Sequence, residues 1–225
     1  MLYWDYTYIF VLIGAVISLI ASWNVNSTFR KFNKFSNGKG LTAEDCATIV
    51  MHSAGIYDVR IERIRGHLTD HYSPREKVLR LSDSVYGSTS IAALGVAAHE
   101  SGHAIQHKEG YFPLKFRSLS VPIARFGSLL SWPVLILGLI LGYMGLARVG
   151  VFLFLFVVVF QIITLPVEFN ASKRAIKILE DKKILIGGEL KGATKVLKAA
   201  ALTYVAALFS SILQLFRMIL LTNRK

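Results

Sequence analysis

The sequence predicts an α-helical membrane protein with three to four transmembrane helices and one small α+β polar domain. Three observations lead there. Of 225 residues, 53% are hydrophobic and only 18% charged, a balance too apolar for an ordinary soluble domain. Four stretches are long and apolar enough to cross a bilayer as helices. Between the first and second of them lies one continuous polar segment whose patterning alternates between helical and strand periods.

The first apolar run lies between Asp5 and Arg30, with its centre in YIFVLIGAVISLIA. It lacks a basic segment before it and its positive charges follow it, so it reads as a retained anchor rather than a cleavable signal. The second (FGSLLSWPVLILGLILGYMGLA) ends at Arg148, and the third (VGVFLFLFVVVFQIITLPV) runs from there to Glu168. A short turn around Arg148 and Gly150 joins them, which predicts a helical hairpin. Pro133 and Pro166 are tolerated because membrane helices re-satisfy the freed backbone groups through their neighbours. The fourth run (AAALTYVAALFSSILQLF) is Ala-rich and is interrupted by Arg217, so it either spans or lies in the interface. No repeat or low-complexity segment is evident.

The net charge of +12 is compatible with nucleic acid or with an anionic membrane face. Its distribution favours the membrane. Of 26 Lys and Arg residues, 14 fall within residues 30–125 and 8 within residues 173–198. By the positive-inside rule those two segments face the cytoplasm and the N-terminus lies outside. Arg217, Arg224 and Lys225 sit on the unfavoured side if the fourth run spans. No aromatic–basic motif accompanies the charge, so nucleic acid is not an expected partner. The single cysteine, Cys46, excludes an intramolecular disulfide and reads as a core residue.

Within the polar segment, RKFNKFSNGKG is a basic linker at the membrane surface. LTAEDCATIVMHSAG predicts a helix, with Thr42 as its N-cap, acids in its first turn and Gly55 at its end. Alternation at Val59, Ile61 and Ile64 predicts a strand, and VLRLS predicts another after the turn SPREK. The residues between, His67 to Tyr72, are expected to belong to a strand hairpin. A further helix is expected from about Ser88 and reads STSIAALGVAAHESGHAIQH.

That helix carries His99-Glu100-Ser101-Gly102-His103. Histidines at i and i+4 share one helix face, so their imidazoles can hold one zinc ion. Glu100 is then placed to take a proton from water beside the metal. Gly102 weakens a helix by roughly 1 kcal/mol relative to Ala, which is understandable if another element packs closely there. A catalytic zinc needs a third protein ligand and an open position. Glu180, Asp181 and Glu189 lie among lysines, and Glu109 is too near the motif to fold back. Glu168 sits at the end of the third apolar run, where a charge invites a partner, and two membrane crossings return the chain to the face it left. It is the expected third ligand; the alternative is a boundary glutamate paired with Lys173 or Arg174.

Other candidates have weaker claims. His107 would lie about 12 Å along the helix axis from His99, too far to share the zinc. Asp70, His71 and Tyr72 are candidates for substrate contact, oxyanion stabilisation or support of a metal-ligating imidazole, although structural turn residues are the simpler reading. His52 reads as structural.

The run LTDHYSPREKVLRLSDSVYGSTSIAALGVAAHESGHAIQH, followed by LPVEFNASKRA after the hairpin, resembles the bacterial membrane neutral zinc metallopeptidases, the YugP-like family. The resemblance covers the chain from about residue 30 onward. It implies a zincin-like cytoplasmic catalytic domain, one Zn2+ per chain, and an endopeptidase of the gluzincin type whose third ligand comes from VEFNAS, at Glu168. A more distant similarity is to HtpX-like peptidases, which carry a Glu-x-x-x-Asp pattern whose aspartate supports a zinc histidine. Ser172 stands at that position and Asn170 two before it, so support must come from residues of another type.

Residues 1–29 are thus expected to form an anchor and 30–125 the catalytic segment. A transmembrane hairpin is expected over 126–167, the third-ligand helix and a basic segment over 168–198, and a transmembrane or interfacial helix over 199–225. The expected activity is zinc-dependent hydrolysis of peptide bonds at the cytoplasmic membrane face, with a protein or peptide substrate, the lipid bilayer as environment, and room for a membrane-protein partner or oligomer. Two other readings compete. A site-2-type intramembrane protease would take an aspartate from an Asp-Gly motif, and the sequence has no such dipeptide. A scaffold or adaptor with a structural or vestigial zinc would need a fourth protein ligand.

Overall fold

The capping signals of the polar segment set its helix starts. In the computed structural model, which describes residues 5–223, the elements run α1 (Tyr8–Phe32), α2 (Ala43–Ser53), β1 (Arg60–Ile64), β2 (His71–Ser73), β3 (Val78–Ser82), α3 (Ile91–Lys108), α4 (Phe112–Ile140), α5 (Met144–Asp181) and α6 (Gly187–Thr222). Thr42 caps α2 in a full capping box: its hydroxyl accepts from the Asp45 N–H at 3.2 Å, and the Asp45 carboxylate accepts from the Thr42 N–H at 2.9 Å. Such a cap is worth roughly 1 kcal/mol. Ser90 caps α3, its hydroxyl accepting from the Ala93 N–H at 3.1 Å, so the helix starts slightly later than the expected Ser88.

The chain divides into two units. One comprises residues 1–22, 115–166 and 202–225, and the other residues 23–114 and 167–201. The second holds the sheet, α2, α3 and parts of α1, α5 and α6. Its sheet order is β1-β3-β2, with β1 parallel and β2 antiparallel to β3. The expected strand hairpin forms between β2 and β3 across the SPREK turn, and β1 joins the far side of β3 rather than pairing with β2. The physical reason is burial: Val78, Leu79 and Leu81 of β3 are fully buried, and the most apolar strand takes the central position, where both edges are paired. β2 is left at the sheet edge. The core beneath contains Cys46, Val50, Leu79, Leu81, Leu94, Ala97 and Leu179.

The apolar helices explain the first unit. α1, α4, α5 and α6 are each long and apolar enough to cross a membrane. Close approach between α4 and α5 depends on glycine. A Cβ at Gly150 would lie 2.6 Å from the Ser131 carbonyl oxygen, and one at Gly127 would lie 2.5 Å from that of Leu153. Without a hydrophobic force between helices in lipid, small residues that let backbones meet carry the packing. α1 and α6 are joined by Ser210, whose hydroxyl donates to the Gly14 carbonyl at 2.9 Å and lies 3.0 Å from the Ser18 hydroxyl.

Arg217, the charge that interrupts the fourth apolar run, is buried. Its guanidinium lies 4.3 Å from the Tyr8 ring centroid and 5.5 Å from that of Trp132. Its Nε donates to the Thr7 hydroxyl at 3.3 Å, and Asp5 lies 3.9 Å away. The cation is thus turned inward onto aromatic faces and a carboxylate, which allows α6 to carry it within its apolar second half. Arg224 and Lys225 lie outside the described residues.

Candidate metal centre

The sequence of α3 up to His99 is built for close packing. Ala92, Ala93, Leu94, Gly95, Ala97 and Ala98 are all buried, and a Cβ at Gly95 would lie 3.3 Å from the Ala193 Cβ of α6. Two turns beyond Gly95, Gly102 faces α5: a Cβ there would lie 2.7 Å from the Ala171 carbonyl oxygen. The glycine removes the one atom that would hold the two helices apart. Glu168, on the turn of α5 just before Ala171, thereby reaches the two histidines.

His99 Nε2 lies 3.2 Å from Glu168 Oε2, and His103 Nε2 lies 3.5 Å from the same oxygen. The two imidazole rings stand edge to face with centroids 4.8 Å apart. One ligand atom from each of His99, His103 and Glu168 can be chosen so that all lie within 4.8 Å of one another. Glu168 is only 2% exposed, and its carboxylate faces both imidazoles.

Both histidines are held by their other nitrogen. His99 Nδ1 lies 3.0 Å from the Ser172 hydroxyl, and His103 Nδ1 lies 3.0 Å from Gln106 Oε1. The orientation of the Gln106 amide follows from its other contacts. Its Nε2 donates to the Val167 carbonyl and to Asn170 Oδ1, each at 2.9 Å. A backbone carbonyl can only accept, so the NH2 group must face it and Oε1 must face His103. Oε1 in turn can only accept, so His103 carries a proton on Nδ1, and its neutral form then presents the Nε2 lone pair toward Glu168. Asn170 Oδ1 also accepts from Arg174 Nε at 2.7 Å, and Arg174 Nη1 pairs with Glu109 at 2.6 Å. Arg174 is therefore engaged with Glu109 rather than with Glu168. Gln106 is a residue beside the site that the histidine–glutamate motif does not single out. Its signal was its place at i+3 from His103, on the same helix face.

Glu100 points away from this support toward the sheet edge, where its Oε2 accepts the Tyr72 N–H at 3.1 Å. Burial raises its carboxyl above the usual carboxylate value, against the opposing pull of His99 and His103. The Tyr72 hydroxyl lies 2.9 Å from His107 Nδ1. Asp70 is occupied structurally, accepting from the Ser82 N–H at 2.7 Å and the Ser82 hydroxyl at 2.9 Å, and so ties the start of β2 to β3. His71 contacts the Thr69 carbonyl within its own turn. Cys46 is in the core, its Sγ 3.6 Å from the Leu94 carbonyl.

A donor set of two imidazole nitrogens and one carboxylate is the chemistry that zinc takes in a catalytic site with an open position. The residues present therefore fit that ion. The profile of the family described as "Putative neutral zinc metallopeptidase" matches residues 7–223. The chain belongs to this family. Within the neutral zinc metallopeptidases it is 44% identical over 216 residues to "Putative membrane protease YugP" of Bacillus subtilis (strain 168), covering 95% of this chain and 96% of that one. No solved structure matches this metallopeptidase chain.

Proposed function

We propose that the chain is a membrane-embedded zinc endopeptidase that hydrolyses peptide bonds at the cytoplasmic membrane face. The observation that carries this reading is the convergence of His99, His103 and Glu168 with Glu100 one residue along the same helix. Membership of the metallopeptidase family supports it, and the Lys and Arg distribution supports the cytoplasmic side.

In this mechanism His99, His103 and Glu168 would hold the ion, and zinc bound there would supply Lewis acidity toward a carbonyl and water. Glu100 accepts the proton of the attacking water and returns it to the amine nitrogen as the C–N bond breaks. Gln106 holds His103 with a proton on Nδ1, and Ser172 holds the His99 ring in place through its Nδ1. The edge strand β2 offers its outer backbone to an extended peptide, beginning at the Tyr72 N–H that now engages Glu100. A structural zinc would need a fourth protein ligand, whereas the described cluster has three. The helix carrying the motif, α3, is not among the four candidate spans, which supports a surface-facing site over an intramembrane one.

The test measures zinc and proteolysis together in detergent-purified protein. Glu168→Gln and His103→Ala should lose stoichiometric zinc. Glu100→Gln should keep zinc while peptide cleavage falls by about 10²–10⁴-fold, the usual worth of a general base. Zinc retained in Glu168→Gln would move the third ligand elsewhere, and full activity in Glu100→Gln would remove the proposed base.

A further inference from the structure

A cavity of about 410 Å3 opens beside the site, lined by Gly55, Ile56, Tyr57, Asp58, Val59, Tyr72, Lys77, Ala104, His107 and Lys108. We propose that it receives an apolar or aromatic side chain of the peptide substrate next to the bond that is cut. This rests on the endopeptidase reading and adds the substrate preference.

Position is the first argument. Glu100, Ala104, His107 and Lys108 form one stripe along α3 at helical spacing. The cavity thus begins one turn, about 6 Å, beyond Glu100. Tyr72 joins the two places: its N–H donates to Glu100 while its side chain lines the cavity. An extended peptide on the edge of β2 turns alternate side chains to the same side, so one that neighbours the reacting carbonyl can enter beneath Tyr72.

Chemistry of the lining is the second argument. Its polar groups are already matched. The Lys77 ammonium pairs with Asp58. Lys108 Nζ donates to the Ala54 carbonyl at 2.6 Å and the Gly55 carbonyl at 2.8 Å, closing the end of α2. The Tyr72 hydroxyl and His107 Nδ1 satisfy each other. An acidic side chain would have to displace one of these pairs. Over a floor to which the buried Ile56 and Ala104 belong, what remains to be covered is Val59 and the faces of Tyr57 and Tyr72. The Tyr57 ring is propped against His52 at 4.9 Å although it is 75% exposed. An aromatic ring held in the open at the rim of an apolar cavity is suited to stack on a guest side chain.

The experiment digests a proteome-derived peptide mixture with zinc-loaded, full-length protein in detergent, and the cut sites are read by mass spectrometry. Wild type should show one position flanking the cut enriched in Leu, Met, Phe and Tyr. Val59→Trp, which fills the cavity from its partly buried rim, should lower that enrichment by about tenfold with zinc content unchanged. Tyr57→Ala, at an exposed position that does not threaten folding, should selectively weaken the aromatic part of the preference. A preference the same in both variants as in wild type, or no preference at all, overturns the pocket while Glu100-dependent cleavage keeps the peptidase reading intact. Zinc-loaded wild type that cuts no more peptides than Glu100→Gln overturns the peptidase reading and the pocket with it.

Discussion

At the scale of single residues, the candidate metal site has neutral neighbours behind its two histidines. A carboxylate beside a ligating imidazole would strengthen the ligand, but here an amide and a hydroxyl occupy those places, Gln106 on His103 and Ser172 on His99. Gln106 carries more, because its NH2 group also fixes the turn of α5 that presents Glu168. Replacing it by Leu leaves the Val167 carbonyl without this donor and frees the His103 ring. Gln106→Leu should weaken zinc by roughly 10–100-fold, read by competition with a chromophoric chelator. Ser172→Ala should weaken it less, since it removes one contact to one ligand. Equal affinity in Gln106→Leu and wild type would show that packing alone sets the ring orientations.

Among elements, the crossing of α3 and α5 decides whether a site exists. Its tightest point is Gly102 against the Ala171 carbonyl, 2.7 Å from where a Cβ would stand. A side chain there must push the backbones apart, and overpacking of this kind costs about 1–3 kcal/mol. Gly102→Val should therefore lower the thermal midpoint and also reduce zinc affinity, because Glu168 retreats with its helix. A variant with lowered stability and full zinc affinity would separate the two effects and place the ligand geometry elsewhere than in this contact. The sheet makes the converse point: Asp70, read from the sequence as a possible support for a metal-ligating imidazole or a structural turn residue, ties β2 to β3 through Ser82.

For the whole molecule, the unequal distribution of Lys and Arg sets the expected orientation, and a single cysteine gives a clean way to test it. Cys46 is fully buried and its thiol is pushed up to about 12 by that burial, so in the native protein it should stay silent to maleimides. Cysteine placed at Tyr143, 66% exposed between α4 and α5, should then be labelled in intact cells by a membrane-impermeant maleimide. Cysteine at Arg75, exposed between β2 and β3, should be labelled only after lysis. The reverse pattern would turn the protein over and put the proposed peptidase on the outer face.

Much of this organisation is written locally. Apolar length gives the four candidate spans, the Thr42 capping box gives the start of α2, and His99 and His103 share a face because they are four residues apart on one helix. Local pattern also singles out Glu168, since a carboxylate at the end of an apolar run is costly without a partner. Contacts between distant segments are not written that way. That β3 separates β1 from β2 follows from competition among strands for the buried central position. That Arg217 is sheltered requires Tyr8 and Trp132 from two other helices. The tautomer of His103 depends on an amide whose orientation is fixed by a carbonyl 61 residues away. Sequence alone determined which residues could do chemistry, because periodicity and burial cost act within a few residues. Tertiary structure alone decided what holds and surrounds them, because hydrogen-bond geometry and close packing act across gaps of a few ångströms that chain distance does not report.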